Sequence, residues 1–270
     1  MMKVEKLKEN HKSYTVTISD DDLHTNDYVV SEDLVVNHRL IKGKILDETA
    51  FRLFMADYKI DASMQKAMNL LHRYPKTIEE TRKYLETFVD SFESIEVIIH
   101  KLIALRFLDD FQYVKSYFDR SFHDQCNGPI KIAFELRQKG IDEAIIMGFI
   151  NRITVHETER NLGMLFDHKI NALGQKPKAK ALISMKQYLY QKGYDPDQIE
   201  AFVSKRSALF VNLEQESKLL EKAYQTLLKK YAKTDLSEYD RHSKIIQSLM
   251  TKGYRYDAIK RIIEGSNNHD

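Results

Sequence analysis

Leu136-Arg137-Gln138-Lys139-Gly140-Ile141 recurs as Leu189-Tyr190-Gln191-Lys192-Gly193-Tyr194 and again as Leu249-Met250-Thr251-Lys252-Gly253-Tyr254. This stretch decides the fold, because its surroundings repeat with it. Four residues before each Leu stand Ile132, Met185 and Ile245, one helical turn back on the same face. Six residues after each Gly stand Ile146, Ile199 and Ile259. Nine after are Phe149, Phe202 and Ile262, and ten after are Ile150, Val203 and Ile263. Every column is apolar. An earlier copy lies on Leu85, with Ile95, Ile98 and Ile99 in the later columns, but it has Phe88-Val89 in place of Lys-Gly and Thr81 in the Ile132 column. The four anchors are 51, 53 and 60 residues apart.

Each copy describes a helix, a second helix closed by Gly, and a third helix. Glycine suits the residue after a helix C-terminus, where the backbone turns left-handed without a Cβ clash. Asp142 and Asp195 are placed to cap the third helices, and Ser63, Thr77, Asp109, Thr158 and Asp235 are candidate starts of others. Pro129 and Pro177 suit first-turn positions. One such unit has too small a core to stand alone, so the units are expected to stack as an elongated, curved array. The expected divisions are residues 47–108 (a linker helix and repeat 1), 109–156, 157–211 and 212–265.

Residues 1–46 differ. Ser13–Ile18 alternates and is β-branched, Asp20–Asp22 suits a turn, and Tyr28–Val30 is a second short β-like run. Glu32–Leu40 suits a short helix and Lys42–Lys44 a loop. A small β-rich module with one helix is expected here. From Asp47 the pattern is helical, beginning with Phe51, Phe54, Met55 and Tyr58. The fold class is therefore all-α tandem three-helix repeats behind a small β-rich N-terminal module.

Composition agrees. Of 270 residues 43% are hydrophobic and 30% charged, which supports a folded chain with a charged surface. Only 9 Gly and 4 Pro are available to punctuate turns, too few for a β-sandwich of this size. The net charge of +2 is uneven: residues 176–270 hold 18 Lys/Arg against 12 Asp/Glu, a surplus of six, and the rest carries a deficit of four. The C-terminal third is the place to meet a polyanion, although solvated helix faces have the same composition. The lone Cys126 excludes an internal disulfide and fits a reducing compartment. Met1–Asn10 lacks the apolar run of a signal peptide, and no stretch approaches 18 apolar residues. A cytoplasmic protein is expected.

Catalytic signatures are scarce. There is no GxxxxGK[ST], GxGxxG or GxSxG, and His156-Glu157 does not continue into HExxH. His123 and Cys126, three apart before Gly128-Pro129, suit a loop better than a metal pair. Asp109-Asp110 and Glu79-Glu80 suit helix starts better than acid–base pairs. No catalytic residue, metal or cofactor is expected, and the chain is expected to act by binding. Basic and aromatic residues do interleave: Lys131, Arg137, Lys139, Lys180, Lys186, Lys192, Lys252, Arg255, Lys260 and Arg261 lie among Tyr188, Tyr190, Tyr194, Tyr254 and Tyr256. Such a set can track phosphates or present Arg and Tyr anchors to a protein. Equally, the tyrosines can pack on helix ends while the lysines stay solvated.

Gly128-Pro129-Ile130-Lys131-Ile132-Ala133-Phe134-Glu135-Leu136-Arg137-Gln138-Lys139-Gly140-Ile141 resembles the central signature of the bacterial RecX family. Phe107-Leu108-Asp109-Asp110, followed by Tyr113-Val114 and Tyr117, resembles the element that opens that family's second repeat. The resemblance spans roughly residues 60–265, and the N-terminal module is similar to the extension of Gram-positive members. It implies tandem three-helix repeats and a non-enzymatic regulator of the RecA recombinase. Such a protein binds RecA and its filament on single-stranded DNA and restrains strand exchange, ATP hydrolysis and coprotease activity. Weak direct contact with DNA and a monomeric state are separate expectations for this chain. The resemblance implies structural roles for Leu108, Asp109, Asp110, Tyr113, Gly128, Leu136, Gly140, Gly193 and Gly253. The expected contacts are the surface residues Lys131, Arg137, Lys139, Lys180, Lys186, Lys192, Lys252 and Arg255. The alternative is a helical-repeat nucleic-acid-binding protein that acts without RecA.

Overall fold

Alternating side chains with a one-residue irregularity build the N-terminal sheet. A computed structural model describes residues 1–11, 13–21, 24–210 and 213–267. Strands β1 (Met2–Glu9), β2 (Tyr14–Ser19), β3 (Thr25–Val30) and β4 (Ile45–Leu46) form an antiparallel sheet in the order β3-β2-β1-β4. The β2–β3 hairpin matches the expectation from Ser13–Ile18 and Tyr28–Val30, whereas β1 and β4 were not foreseen. In β1 a register shift between Val4 and Lys6 puts Val4 and Leu7 on the same core without strict alternation, which hides the strand from a period-two reading. Asp22, the last residue of the expected turn, lies outside the described residues.

Helix α1 (Glu32–Asn37) is shorter than the expected Glu32–Leu40. Ser31 caps its start, and Leu40 folds back to donate its N–H to Val35 O at 2.9 Å. Lys42–Lys44 is a turn, with Gly43 at φ +88 handing the chain to β4.

Among the described residues twelve further α-helices follow. They are α2 (Glu48–Arg73), α3 (Ile78–Leu85), α4 (Phe92–Ala104), α5 (Asp110–Phe118), α6 (Pro129–Gln138) and α7 (Glu143–Ile150). Then come α8 (Val155–Leu173), α9 (Lys178–Gln191), α10 (Pro196–Lys205), α11 (Leu213–Tyr231), α12 (Glu238–Thr251) and α13 (Tyr256–Asn267). Helix α5 runs on into a π-helical turn at Asp119–Asp124.

Several expected helix starts are corrected. Ser63 lies inside α2 and returns its hydroxyl to Lys59 O at 2.7 Å; Thr158 lies inside α8 and bonds Thr154 O at 3.1 Å. A hydroxyl bonded one turn back cannot cap. Thr154 caps α8 instead, in a reciprocal pair with Glu157. Ser237, not Asp235, caps α12 by accepting from Asp240 N at 3.1 Å. Pro177 is the cap residue of α9 rather than a member of its first turn. Thr77, Asp109, Asp142 and Asp195 do accept from first-turn N–H groups.

The chain forms two compact units, Met1–Lys115 with Arg137–Ile145, and Ser116–Leu136 with Ile146–Asp270. In the first, α2 serves two cores. Its Phe54 packs with Val4, Val16, Ile18 and Leu46 of the sheet, and its Ala67 and Leu71 pack with Leu85, Ile98 and Leu102. Tyr28 meets Phe54 and Tyr58 edge-on at 5.5 and 5.1 Å. In the second unit one core gathers Phe166, Met185, Leu189, Tyr194, Ile199 and Phe202, and another gathers Tyr224, Leu227, Ile245, Leu249, Tyr254 and Ile259. Of the repeat columns, the anchor leucines and the positions of Ile132 and Ile146 are buried throughout, whereas Phe149, Ile150, Ile262 and Ile263 are partly buried.

Asp61, buried in mid-α2, accepts from Ser31 N at 2.8 Å and so pins the β3–α1 junction. Asp61→Ala leaves that donor unpaired and should cost about 1–3 kcal/mol. Urea unfolding would show a lowered midpoint; an unchanged midpoint would remove Asp61 from the account of how the sheet is held.

Candidate functional site

The repeated Lys-Gly turn is the structural centre of each junction between helices, and its geometry follows from missing atoms. Gly140, Gly193 and Gly253 have φ of +74, +90 and +98, a region costly for any residue with a Cβ. At the second turn Gly193 N donates to Tyr190 O at 2.9 Å and Tyr194 N to Leu189 O at 3.4 Å. At the third, Gly253 N donates to Met250 O at 2.9 Å and Tyr254 N to Leu249 O at 3.2 Å. These are paired bonds that close a helix and bring the residue after Gly back onto the anchor Leu. Tyr194 and Tyr254 are accordingly buried.

Each glycine also presses on the first turn of a helix in the preceding repeat. A Cβ on Gly140 would lie 2.4 Å from Glu79 Cβ of α3. On Gly193 it would lie 2.3 Å from Lys131 Cβ and 2.6 Å from Lys131 N of α6, and on Gly253 2.5 Å from Lys180 Cγ of α9. Hydrogen bonds fasten two of these contacts. Thr77 Oγ1, the cap of α3, donates to Lys139 O at 2.7 Å, and Gly128 N donates to Lys192 O at 2.6 Å. Gly128 itself has no room for a Cβ, which would stand 2.3 Å from Gly193 O.

The lysine before each glycine finds a different environment. Lys139 Nζ lies 2.7 Å from Glu80 Oε1 and 5.7 Å from the Tyr113 ring centroid. Lys192 Nζ donates to Gln125 O at 3.1 Å and approaches Asn127 Oδ1 at 3.5 Å, an oxygen that Lys131 approaches at the same distance. Lys252 has no ion pair among the described residues. It lines a cleft of about 470 Å³ with Lys176, Lys180 and Lys222, walled by Leu219 and Tyr254.

The expected basic residues thus part company. Arg137 forks onto Glu143 at 2.8 and 2.6 Å, Lys186 meets Glu200 at 2.5 Å, and Arg255 meets Asp257 at 3.5 Å. Lys180 and Lys252 meet in the cleft, and the structure adds Lys176 and Lys222 to them. Lys176 precedes the Pro177 cap of α9 and Lys180 lies in its first turn, so the cap brings the two into one cleft. Lys222 was not legible in the sequence, because nothing local in α11 ties it to Lys252.

The family-signature residues hold the frame. Leu108 is buried. Asp109 caps α5 by accepting from Gln112 N at 3.0 Å, and Asp110 reaches α3 to accept from Ile78 N at 2.9 Å. Burial pushes the Asp110 carboxyl up despite that bond. For Glu80 burial also acts upward, but the Lys139 ammonium and the Thr77 N–H together outweigh it, and its pKa falls below the ordinary value. The Lys139 ammonium is raised by Glu80 against its own burial. Cys126 is buried, its thiol pushed up by that burial, and its carbonyl accepts from Tyr194 OH at 3.0 Å. His123 packs edge-on against Phe122. Among the described residues no three His, Cys, Asp or Glu side chains are grouped to hold a metal, and no helix is long and apolar enough to cross a membrane.

This fold defines a class: proteins of tandem three-helix units joined by glycine turns. Residues 109–147 match the family model for the second three-helix domain of RecX, and residues 216–263 match that for the third. The regulatory protein RecX of Enterococcus faecalis is 30% identical over 234 residues, covering 87% of each chain. That of Streptococcus agalactiae serotype III is 27% identical over 264 residues, covering 96% of this chain and 97% of its own. A crystal structure of regulatory protein RecX superposes with a TM-score of 0.63 at 22% identity, over 76% of this chain and all of that one. The crystal structure of RecX from Lactobacillus salivarius gives 0.50 at 25% identity, over 54% and 95%. The chain belongs to the RecX family. The relatives are named for regulation rather than for a catalysed reaction.

Gly193→Ala should be destabilising by more than the roughly 1–2 kcal/mol of left-handed strain alone, since the new methyl group also strikes backbone. Gly163→Ala, where nothing lies within 4 Å in mid-α8, should stabilise by about 0.5–1 kcal/mol. Thermal unfolding of both variants checks this, and equal shifts would refute the fit described for Gly193.

The Lys139–Glu80 pair should shape stability against pH. Glu80, lowered in the folded chain, contributes stability above the ordinary carboxylate value of about 4.3 that is lost as pH falls through its lower folded value. Lys139, raised, contributes stability below about 10.4 that is lost as pH rises through its higher folded value. Asp110, a raised acid, acts in the opposite sense to Glu80. Glu80→Gln should therefore flatten the acid limb of urea midpoint against pH; superimposable acid limbs would reject the pair's role.

Proposed function

We propose that this chain is a non-enzymatic regulator that binds the RecA recombinase and its filament on single-stranded DNA. It mainly inhibits recombinase, ATPase and coprotease activities in DNA repair and the SOS response. The observation that carries this reading is the near full-length match to relatives named regulatory protein RecX, together with two matching RecX three-helix domains. The repeat divisions at 47–108, 109–156, 157–211 and 212–265 belong to the same proposal, as do a monomeric state and a cytoplasmic site of action. The buried single cysteine fits a reducing compartment.

Contacts to the recombinase are assigned to repeat faces that carry exposed basic groups. Arg137 and Lys186 suit a test best. Each pairs with an exposed carboxylate, and surface pairs of that kind add only about 0–1 kcal/mol to stability. Lys131 and Lys192 are less suitable, because both stand at the Gly193 junction.

The experiment is ATP hydrolysis by a preformed recombinase filament on single-stranded DNA while the protein is titrated in. Inhibition at substoichiometric ratios is expected, weakened by the double charge reversal Arg137→Glu, Lys186→Glu. No inhibition at excess protein, with folding confirmed by circular dichroism, would overturn the reading. Full inhibition by the folded double variant would overturn the residue assignment alone.

A further inference from the structure

The geometry points to a binding site for the phosphodiester backbone of single-stranded nucleic acid in the cleft of Lys176, Lys180, Lys222 and Lys252. The site is engaged without any recombinase. It deepens the regulator reading by naming what the C-terminal repeats touch in a filament, but it does not depend on that reading.

The case starts from three copies of one turn. The lysine before Gly140 has a carboxylate, and the lysine before Gly193 has a carbonyl and a side-chain amide. The lysine before Gly253 has neither. The residues facing it explain why: α3 begins with Glu79 and Glu80, whereas α9 begins with Lys178 and Lys180. Lys180 lays its stem on Gly253, and with Lys252 it lines the cleft. Lys176 and Lys222 complete the set, and no carboxylate lines the cleft. All four lysines are exposed. Among the described residues only Lys176 of the four has a side-chain partner, Ser184 Oγ at 3.2 Å, which leaves its charge uncompensated.

Two acids stand close by without lining the cleft: Glu216, whose charge acts on Tyr254, and Glu221, which shares a groove with Lys222. Glu216 Oε1 accepts from Lys178 N at 3.2 Å, so the protein's own carboxylate occupies the N-terminus of α9. Glu221 borders a neighbouring groove with Lys218, Lys222 and Lys229. Four lysines on a lining that holds no carboxylate make a local positive field, which attracts a polyanion.

The residue types choose among polyanions. Lysine is a point charge that suits phosphate, and the cleft has no arginine fork to grip a carboxylate or a base edge. Its one aromatic residue, Tyr254, is buried, so no ring is offered for base stacking. It also lacks the exposed aromatic or Arg anchor that a peptide partner would use. The cleft is open rather than enclosed, which suits a chain passing through. Binding is therefore expected to be independent of base sequence.

The test is fluorescence anisotropy of the full-length protein with a labelled oligo(dT) across a salt series. Four phosphate contacts predict a slope of log affinity against log salt of about −2.8. Two double variants, Lys176→Gln with Lys222→Gln and Lys180→Gln with Lys252→Gln, should each bring it to about −1.4. The first leaves the Gly253 contact untouched, so a folding defect in the second cannot decide the matter. An unrelated sequence of equal length should bind as well. Absence of oligonucleotide binding, or an unchanged slope in the first variant, would overturn the site. So would tight binding of poly-glutamate or inorganic polyphosphate that the oligonucleotide cannot displace. Recombinase inhibition persisting beside any of these failures would leave the regulator reading intact.

Discussion

A glycine pressed against the first turn of a neighbouring helix is the contact on which the repeats depend. At Gly193 the backbone must be left-handed, and the space for a Cβ is filled by Lys131. Two demands fall on one residue: the helix before it must end sharply, and the helix it touches must come within backbone distance. Only glycine meets both. Once the turn is in place the anchor Leu189 and the following Tyr194 are buried together, and the core of Phe166, Met185, Ile199 and Phe202 forms around them. The same order of causes holds at Leu249 and Tyr254.

The unit built on Leu85 shows what happens without the glycine. Helix α3 ends with Glu86 in right-handed conformation, and Phe88 and Val89 direct their N–H groups to Leu85 O at 3.1 and 2.9 Å. Thr81 occupies an apolar column yet is fully buried, which it can be because its hydroxyl bonds Thr77 O at 2.8 Å. This unit has no Lys-Gly turn of its own and instead offers the surface on which Gly140 sits. At its helix start Thr77 donates to Lys139 O and Glu80 accepts from Lys139 Nζ, while Asp110 of α5 accepts from Ile78 N.

The repeats were legible because burial and periodicity coincide in them. Ile132, Met185 and Ile245 are each buried, and so are Ile146, Ile199 and Ile259. Local chemistry was legible where it had no competitor, as at Asp142 and Asp195. It failed at Ser63 and Thr158, whose hydroxyls satisfy carbonyls one turn back, an outcome that residue type alone cannot announce. Strand β1 was hidden by its bulge, and β4 by its two-residue length. The basic residues could be counted but not sorted. What a lysine meets depends on residues dozens of positions away: the carboxylate of Glu80 for Lys139, the uncharged amide of Asn127 for Lys192, and no side-chain acceptor among the described residues for Lys252.

That sorting separates the work of the two residues in the turn. Glycine carries the backbone requirement, so it recurs wherever the junction recurs. Lysine carries none: its stem leaves the turn and its ammonium takes whatever the opposing helix presents. A carboxylate there makes a pair that is coupled to pH, and a carbonyl with an amide makes a hydrogen-bonded clasp that keeps the positive charge. A second row of lysines makes an uncompensated positive cleft. One backbone solution thus supports three electrostatic outcomes, chosen by the residues gathered around the helix start it touches. That choice is where repeats of the same architecture can come to differ in what they bind.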